Sequence, residues 1–239
     1  MIAQLTVFDL TSILDPHSSI LNMSARENIL GRIRAAQGRS GAPEAQERAA
    51  VATHLATHPE GPRPGFTSDA IAGFSACAAK LTTSVDQVAT MAEVPQAVAR
   101  YLEENNLPKN AVCWPELFEL EWQAAGIEID ARAAEGTDAV GITSAFCAIA
   151  ETGTLLTLSG PRTPATTSLL PETHIAVVRT GRMVRSMEDA WKLLRDEQGA
   201  NFMPRAANFI SGPSRTADIE QTLVLGAHGP YRVHIVLVG

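Results

Sequence analysis

Glu151 stands in Ala150-Glu-Thr-Gly-Thr154, between two apolar stretches of the chain. A carboxylate there is costly unless it is paired, protonated or set at a strand end facing a cleft. Two readings follow. Glu151 is a catalytic or ligand-binding carboxylate, or it is a structural cap. His174 precedes the apolar run 175–178, and His228 sits in Gly226-Ala-His-Gly229. Either imidazole can act as a general acid or base, or contact a ligand. The alternative for each is a hydrogen-bonded structural histidine. His54 and His58 have helical spacing but lie in a Pro- and Gly-rich region with no third ligand in view, which disfavours a metal.

Three turns rich in Gly, Ser and Thr follow expected strands: Gly141-Ile-Thr-Ser144, Ser159-Gly-Pro-Arg-Thr163 and Ser211-Gly-Pro-Ser-Arg-Thr216. The third precedes Asp218-Ile-Glu-Gln221, which reads as a helix start. Small residues let backbone N–H groups approach an anion, a helix dipole adds attraction, and Arg215 adds charge. An ordinary capped turn is the alternative, since no complete phosphate motif is present. Glu116, Glu119 and Glu121 near Trp122 read as a solvated helix face. Arg179, Arg182 and Arg185 read as surface charges around a turn, with an anion clamp as the alternative.

Composition narrows the partners. The 239 residues carry a net charge of −7 and are 45% hydrophobic, 19% charged and 5% aromatic. Such a chain can bury a real core, built mainly of aliphatic side chains and alanine. Lys and Arg form no dense run, which disfavours nucleic acid. No apolar run approaches the roughly 20 residues of a membrane span. The opening MIAQLTVFDLTSILDP lacks a positive region and carries Asp9 and Asp15, making a poor signal peptide. Cys77, Cys113 and Cys147 form no C-x-x-C pair, so a disulfide framework, a zinc ribbon or an iron–sulfur cluster bound by this chain alone is not expected. Reduced thiols in a cytoplasmic protein are the expected state.

The elements that must hold these residues alternate along the chain. Residues 1–22 show no clear period and read as an extension. Residues 23–66 read as a helical arm with a Pro- and Gly-rich connection. Its helix opens at Ser24-Ala-Arg-Glu27, with capping-box spacing, and ends at Gly38 and Gly41. Residues 67–239 read as an α/β domain. Helices are expected around Ile71, Phe74 and Ala78, over 94–105 with Pro95 in the first turn, over 116–125 closed by Gly126, and after Ser186-Met-Glu-Asp189. Strands are expected at 81–85, 111–114, 127–129, 140–143, 147–150, 154–158, 175–178, 208–210 and 233–238. Several are continuous apolar runs, as in strands covered on both faces.

Ala150-Glu-Thr-Gly-Thr154, Leu169-Leu-Pro-Glu-Thr-His-Ile-Ala-Val-Val178 and Ile210-Ser-Gly-Pro-Ser-Arg-Thr-Ala-Asp-Ile-Glu-Gln-Thr-Leu-Val-Leu-Gly226 resemble the lactate-utilization protein C family, whose domain is called the LUD domain. The resemblance runs from about Met23 to Val238 and is strongest from Gly141 onward. It implies a three-layer α/β/α sandwich with a mostly parallel central sheet, like the glucosamine-phosphate deaminase, ribose-phosphate isomerase and CoA-transferase superfold. It also implies an accessory role in oxidising L-lactate to pyruvate beside iron–sulfur partner proteins. A stand-alone acyl- or CoA-transfer enzyme using Glu151, and a small-anion or nucleotide sensor, are the alternatives. The resemblance names no cofactor. It assigns no catalytic residue and carries over only motif positions: Glu151, Thr152, Gly153, Thr154, Pro171, His174, Ser211, Gly212, Pro213, Ser214, Thr216, Asp218, His228 and Gly229. Together with the reading of the turns and titratable groups above, the catalytic candidates are Glu151 and His174, and the ligand-binding candidates are Gly141, Thr143, Thr152, Gly153, Thr154, Ser211, Gly212, Ser214, Arg215, Thr216, Asp218 and His228.

Overall fold

The structure is a computed structural model that describes residues 24–39, 41–63, 69–200, 202–217, 222 and 224–239. The proposed extension 1–22 lies outside them. The chain divides into two compact units, Met1–Glu60 and Gly61–Gly239.

The first unit holds α1 (Ala25–Ala36) and α2 (Ala45–Thr57), neither of which has a buried residue. The expected capping box opens α1, where the Ser24 hydroxyl accepts from the Glu27 N–H and the Glu27 carboxylate accepts from the Ser24 N–H.

The second unit contains, in chain order, α3 (Ala70–Lys80), β1 (Ser84–Val88), α4 (Val94–Glu104), β2 (Asn110–Cys113), β3 (Glu128–Asp130), β4 (Val140–Ser144), β5 (Cys147–Ile149) and β6 (Thr154–Leu158). There follow α5 (Thr166–Leu169), β7 (Thr173–Arg179), β8 (Met183–Val184), α6 (Met187–Gln198), β9 (Ala207–Ile210), β10 (Arg215–Thr216), β11 (Val224–Leu225) and β12 (Arg232–Val238).

Six strands form the central sheet in the order β1-β12-β7-β4-β2-β3, every pair parallel. The apolar runs explain this placement. β4, β7 and β12 are buried along nearly their whole length, as interior parallel strands must be. Alternate side chains then feed two cores. Ile142, Ile175, Val177 and Val236 pack with Val98 and Leu102 of α4 and with Trp122. Ala176, Val178, Ile235 and Leu237 pack on the other face with Phe74 and Ala78 of α3 and with Ala148 and Leu155. Helices thus cover both sides, as expected of this α/β class.

One outer layer is not helix alone. A smaller sheet, β8-β5-β6-β9, covers part of it, and its Cys147, Ile149 and Leu156 meet Ala190 and Leu193 of α6. Among the described residues, no helix is long and apolar enough to cross a membrane.

Two expectations shift. The first strand starts at Ser84, because Leu81 caps α3 and the next residues turn back on it, with the Thr83 N–H on the Ala78 carbonyl at 3.0 Å. Residues 116–125 form two short 3-10 turns, at Pro115–Leu117 and Gln123–Ala125, not one helix. The buried Trp122 indole donates to the Leu117 carbonyl at 2.7 Å, and this local knot replaces helical pairing.

Candidate functional site

A parallel sheet concentrates free loops at its carboxyl edge, and the best-formed crevice lies where successive connections leave in opposite directions. Here that point falls between β2 and β4. The chain leaves β2 for β3 on one side, and leaves β4 for β7 and β12 on the other. A cavity of about 510 Å3 lies beyond these carboxyl ends, lined by Met91, Trp114, Glu116, Ser144, Phe146 and Arg179 among others.

Each polar group reaches the crevice because its strand ends there. Ser144 is the last residue of β4, and its hydroxyl donates to the Glu116 carboxylate on the turn after β2. Trp114 follows β2. Its backbone N–H donates to Ile142 at 3.1 Å, and its indole N–H donates to the Pro164 carbonyl at 3.2 Å, fixing the loop after β6. Thr163 of the Ser159-to-Thr163 turn also lines the crevice.

The two arginines at this rim differ. The Arg182 Nε donates to the Phe146 carbonyl at 2.8 Å, its guanidinium pairs with Glu197, and it lies 4.6 Å from the centre of the Phe146 ring. Arg179, the last residue of β7, is exposed and has no ion pair among the described residues. Among the described residues, the crevice therefore offers one uncommitted cation, a carboxylate–hydroxyl pair and an apolar wall. That set suits an organic anion carrying a hydrogen-bond donor. Among the described residues, no three His, Cys, Asp or Glu side chains gather as metal ligands would. The Cys113 and Cys147 thiols are pushed up to about 12 by burial, so neither is a thiolate at neutral pH.

The expected catalytic and ligand-binding residues lie outside this lining, in three places. The first is the β5–β6 turn. The Glu151 carboxylate accepts the Met187 N–H at 3.0 Å, at the first residue of α6, which is capping geometry. The Thr152 hydroxyl donates to Thr154 at 2.8 Å, and the Thr154 and Ser211 hydroxyls meet at 2.7 Å. Gly153 has φ 66°, and a Cβ there would lie 2.4 Å from the Ala78 nitrogen, so this turn is seated directly on α3.

The second is the buried interior. His174 is fully buried in β7, with Nε2 2.8 Å from the Thr143 hydroxyl and Nδ1 without a partner. Burial pushes it down to about 4, so it is neutral at pH 7. Gly141 is its register partner on β4. A Cβ on Gly141 would sit 2.0 Å from the Thr167 carbonyl oxygen of α5.

The third is the set of turns before β12. Arg215 donates to the Leu81 carbonyl at 2.7 Å and to the Thr82 hydroxyl at 2.6 Å, and Gly212 lies against Leu81. The Ser214 N–H donates to the Pro230 carbonyl at 2.9 Å. Arg215 and Thr216, read from the sequence as part of a turn, form β10, paired with β11; the helix start expected at 218–221 lies outside the described residues. Asp218 lies outside the described residues. His228 is exposed.

The sequence reading missed His234. Its Nδ1 is 2.8 Å from the Ser84 hydroxyl, its ring stacks on Tyr101 at 3.9 Å, and its Nε2 has no partner. With Ser84, Tyr101 and Arg232 it lines a second hollow of about 410 Å3 at the amino end of β12. The signal for the crevice was read in part, in the turns ending at Ser144 and Thr163 and in the anion clamp offered as the alternative for Arg179 and Arg182. Ser144 and Arg179 each end a run of buried residues, which marks a strand's carboxyl end.

Comparison with known proteins converges on one family. The LUD domain model matches residues 71–238. A lactate utilization protein C from Exiguobacterium sp. is 38% identical over 143 residues, covering 59% of this chain and 61% of the relative. One from Bacillus subtilis is 38% identical over 119 residues, covering 49% of each. One from Halalkalibacterium halodurans is 33% identical over 174 residues, covering 66% of this chain and 74% of the relative. For the first two, the chain thus spans about half to three fifths of the relative's own length. A crystal structure of a DUF162 family protein from Deinococcus radiodurans superposes with a TM-score of 0.52 at 20% identity, covering 74% of this chain and all of that one. That likeness supports the fold.

Proposed function

This chain belongs to the LUD domain family, and from that premise we propose that it serves lactate utilization as an accessory subunit of an L-lactate-oxidising system. In this reading it acts in the cytoplasm beside iron–sulfur partner proteins, which take the two electrons released as lactate becomes pyruvate. This chain contributes a ligand crevice. The observation that carries its part is the uncommitted Arg179 beside the Ser144–Glu116 pair, at the sheet's switch point.

The test is growth on L-lactate as sole carbon source after deletion of the gene, with the intact gene and an Arg179→Gln version restored. Loss of growth, rescued by the intact gene and poorly by the variant, is the expected result. Normal growth of the deletion strain overturns the reading.

A further inference from the structure

The crevice is larger and more apolar than a three-carbon acid requires. At about 510 Å3 the crevice is roomy for a lactate-sized anion, which displaces on the order of three or four waters. Cavities of roughly 300–1,000 Å3 are those that hold larger organic ligands. Leu117, Phe146 and Leu158 give the wall an apolar character that a single methyl group leaves mostly uncovered.

Charge sets the head group. Arg179 can take a carboxylate in a paired, charge-assisted contact, since Arg182 is already spent on Phe146 and Glu197. The Glu116 carboxylate, already accepting from Ser144, can accept again but cannot donate. It favours a hydroxyl on the ligand over a carbonyl.

Resting on the reading of this crevice as the ligand site, we propose that it binds 2-hydroxycarboxylates whose apolar chain is longer than lactate's methyl. The carboxylate meets Arg179, the hydroxyl meets Glu116, and the chain lies against Phe146 and Leu158. Lactate enters as the smallest and weakest member of the class.

The test is calorimetric titration of the full chain with L-lactate, 2-hydroxyhexanoate and 2-hydroxyoctanoate at matched ionic strength, each beside its 2-oxo counterpart. Affinity should rise by about fourfold per buried methylene. Arg179→Gln should weaken every member, and Phe146→Ala or Leu158→Ala should flatten the chain-length dependence, with melting curves confirming the fold. Each 2-oxo acid should bind more weakly, and Glu116→Gln should narrow that gap. A flat or falling series overturns the inference, as does a rise that survives Arg179→Gln and both alanine variants. Lactate binding that is lost with Arg179→Gln, in a flat series, overturns the chain-length claim alone. The growth experiment judges the lactate role independently of either result.

Discussion

The Thr143 hydroxyl and His174 Nε2 lie 2.8 Å apart across the adjacent parallel strands β4 and β7, with both residues fully buried. One strand further along, His234 faces the other core of the same sheet and uses Nδ1 to reach Ser84 at 2.8 Å. Each imidazole therefore has one nitrogen satisfied by a hydroxyl and one without a partner among the described residues. Both are neutral because the interior cannot solvate the cation.

This arrangement makes stability depend on acid. His174 and His234 are each pushed down to about 4 from an ordinary 6.5, His234 against an opposing pull from Asp86. Between those values the unfolded chain binds more protons than the folded one, so stability rises with pH there. It is fully present above about 6.5 and is lost as pH falls toward 4. Each histidine can account for about 3 kcal/mol across that window. Urea unfolding at pH 7.5, 6, 5 and 4.5 should show the decline, and His174→Gln or His234→Gln should reduce its slope.

The two rim arginines should separate by phenotype. Arg179→Gln should leave stability within about 0.5 kcal/mol of the parent, since it is exposed and has no ion pair among the described residues. It should weaken carboxylate binding. Arg182→Gln should cost about 1–3 kcal/mol, because it breaks the Phe146 carbonyl bond and the Glu197 pair together. Thermal melts beside carboxylate titrations check both. Equal effects on stability would refute the division of labour.

Glu151→Gln should lower stability by about 1 kcal/mol through loss of a charge at the start of α6. Growth on lactate should persist. Lost growth with an unchanged melting curve would instead make Glu151 a catalytic group.

Gly141→Ala should be among the most damaging single changes. Its added methyl would lie 2.0 Å from the Thr167 carbonyl oxygen, forcing β4 and α5 apart at a cost of about 3 kcal/mol or more. Gly136→Ala meets nothing within 4 Å and should stay within about 0.5 kcal/mol. Denaturant midpoints of the two variants give the comparison.

What the sequence determined by itself is local. Apolar runs at 140–143, 154–158 and 233–238 announce strands because a buried strand needs apolar side chains on both faces, whatever its neighbours. Ser24 with Glu27, and Ser186 with Asp189, announce helix starts because a capping box closes within four residues. The family motifs were legible for the same reason, as contiguous strings.

Tertiary structure alone decided the strand order, and with it the crevice. Glu116, Ser144 and Arg179 are far apart in the chain and meet only because β2, β4 and β7 are neighbours in the sheet. Nothing in the local pattern chooses among parallel pairings, since any buried apolar strand can lie beside any other. The same limit hid the difference between Arg179 and Arg182. They look alike in sequence, and only the packing of Phe146 and Glu197 against one of them leaves the other available.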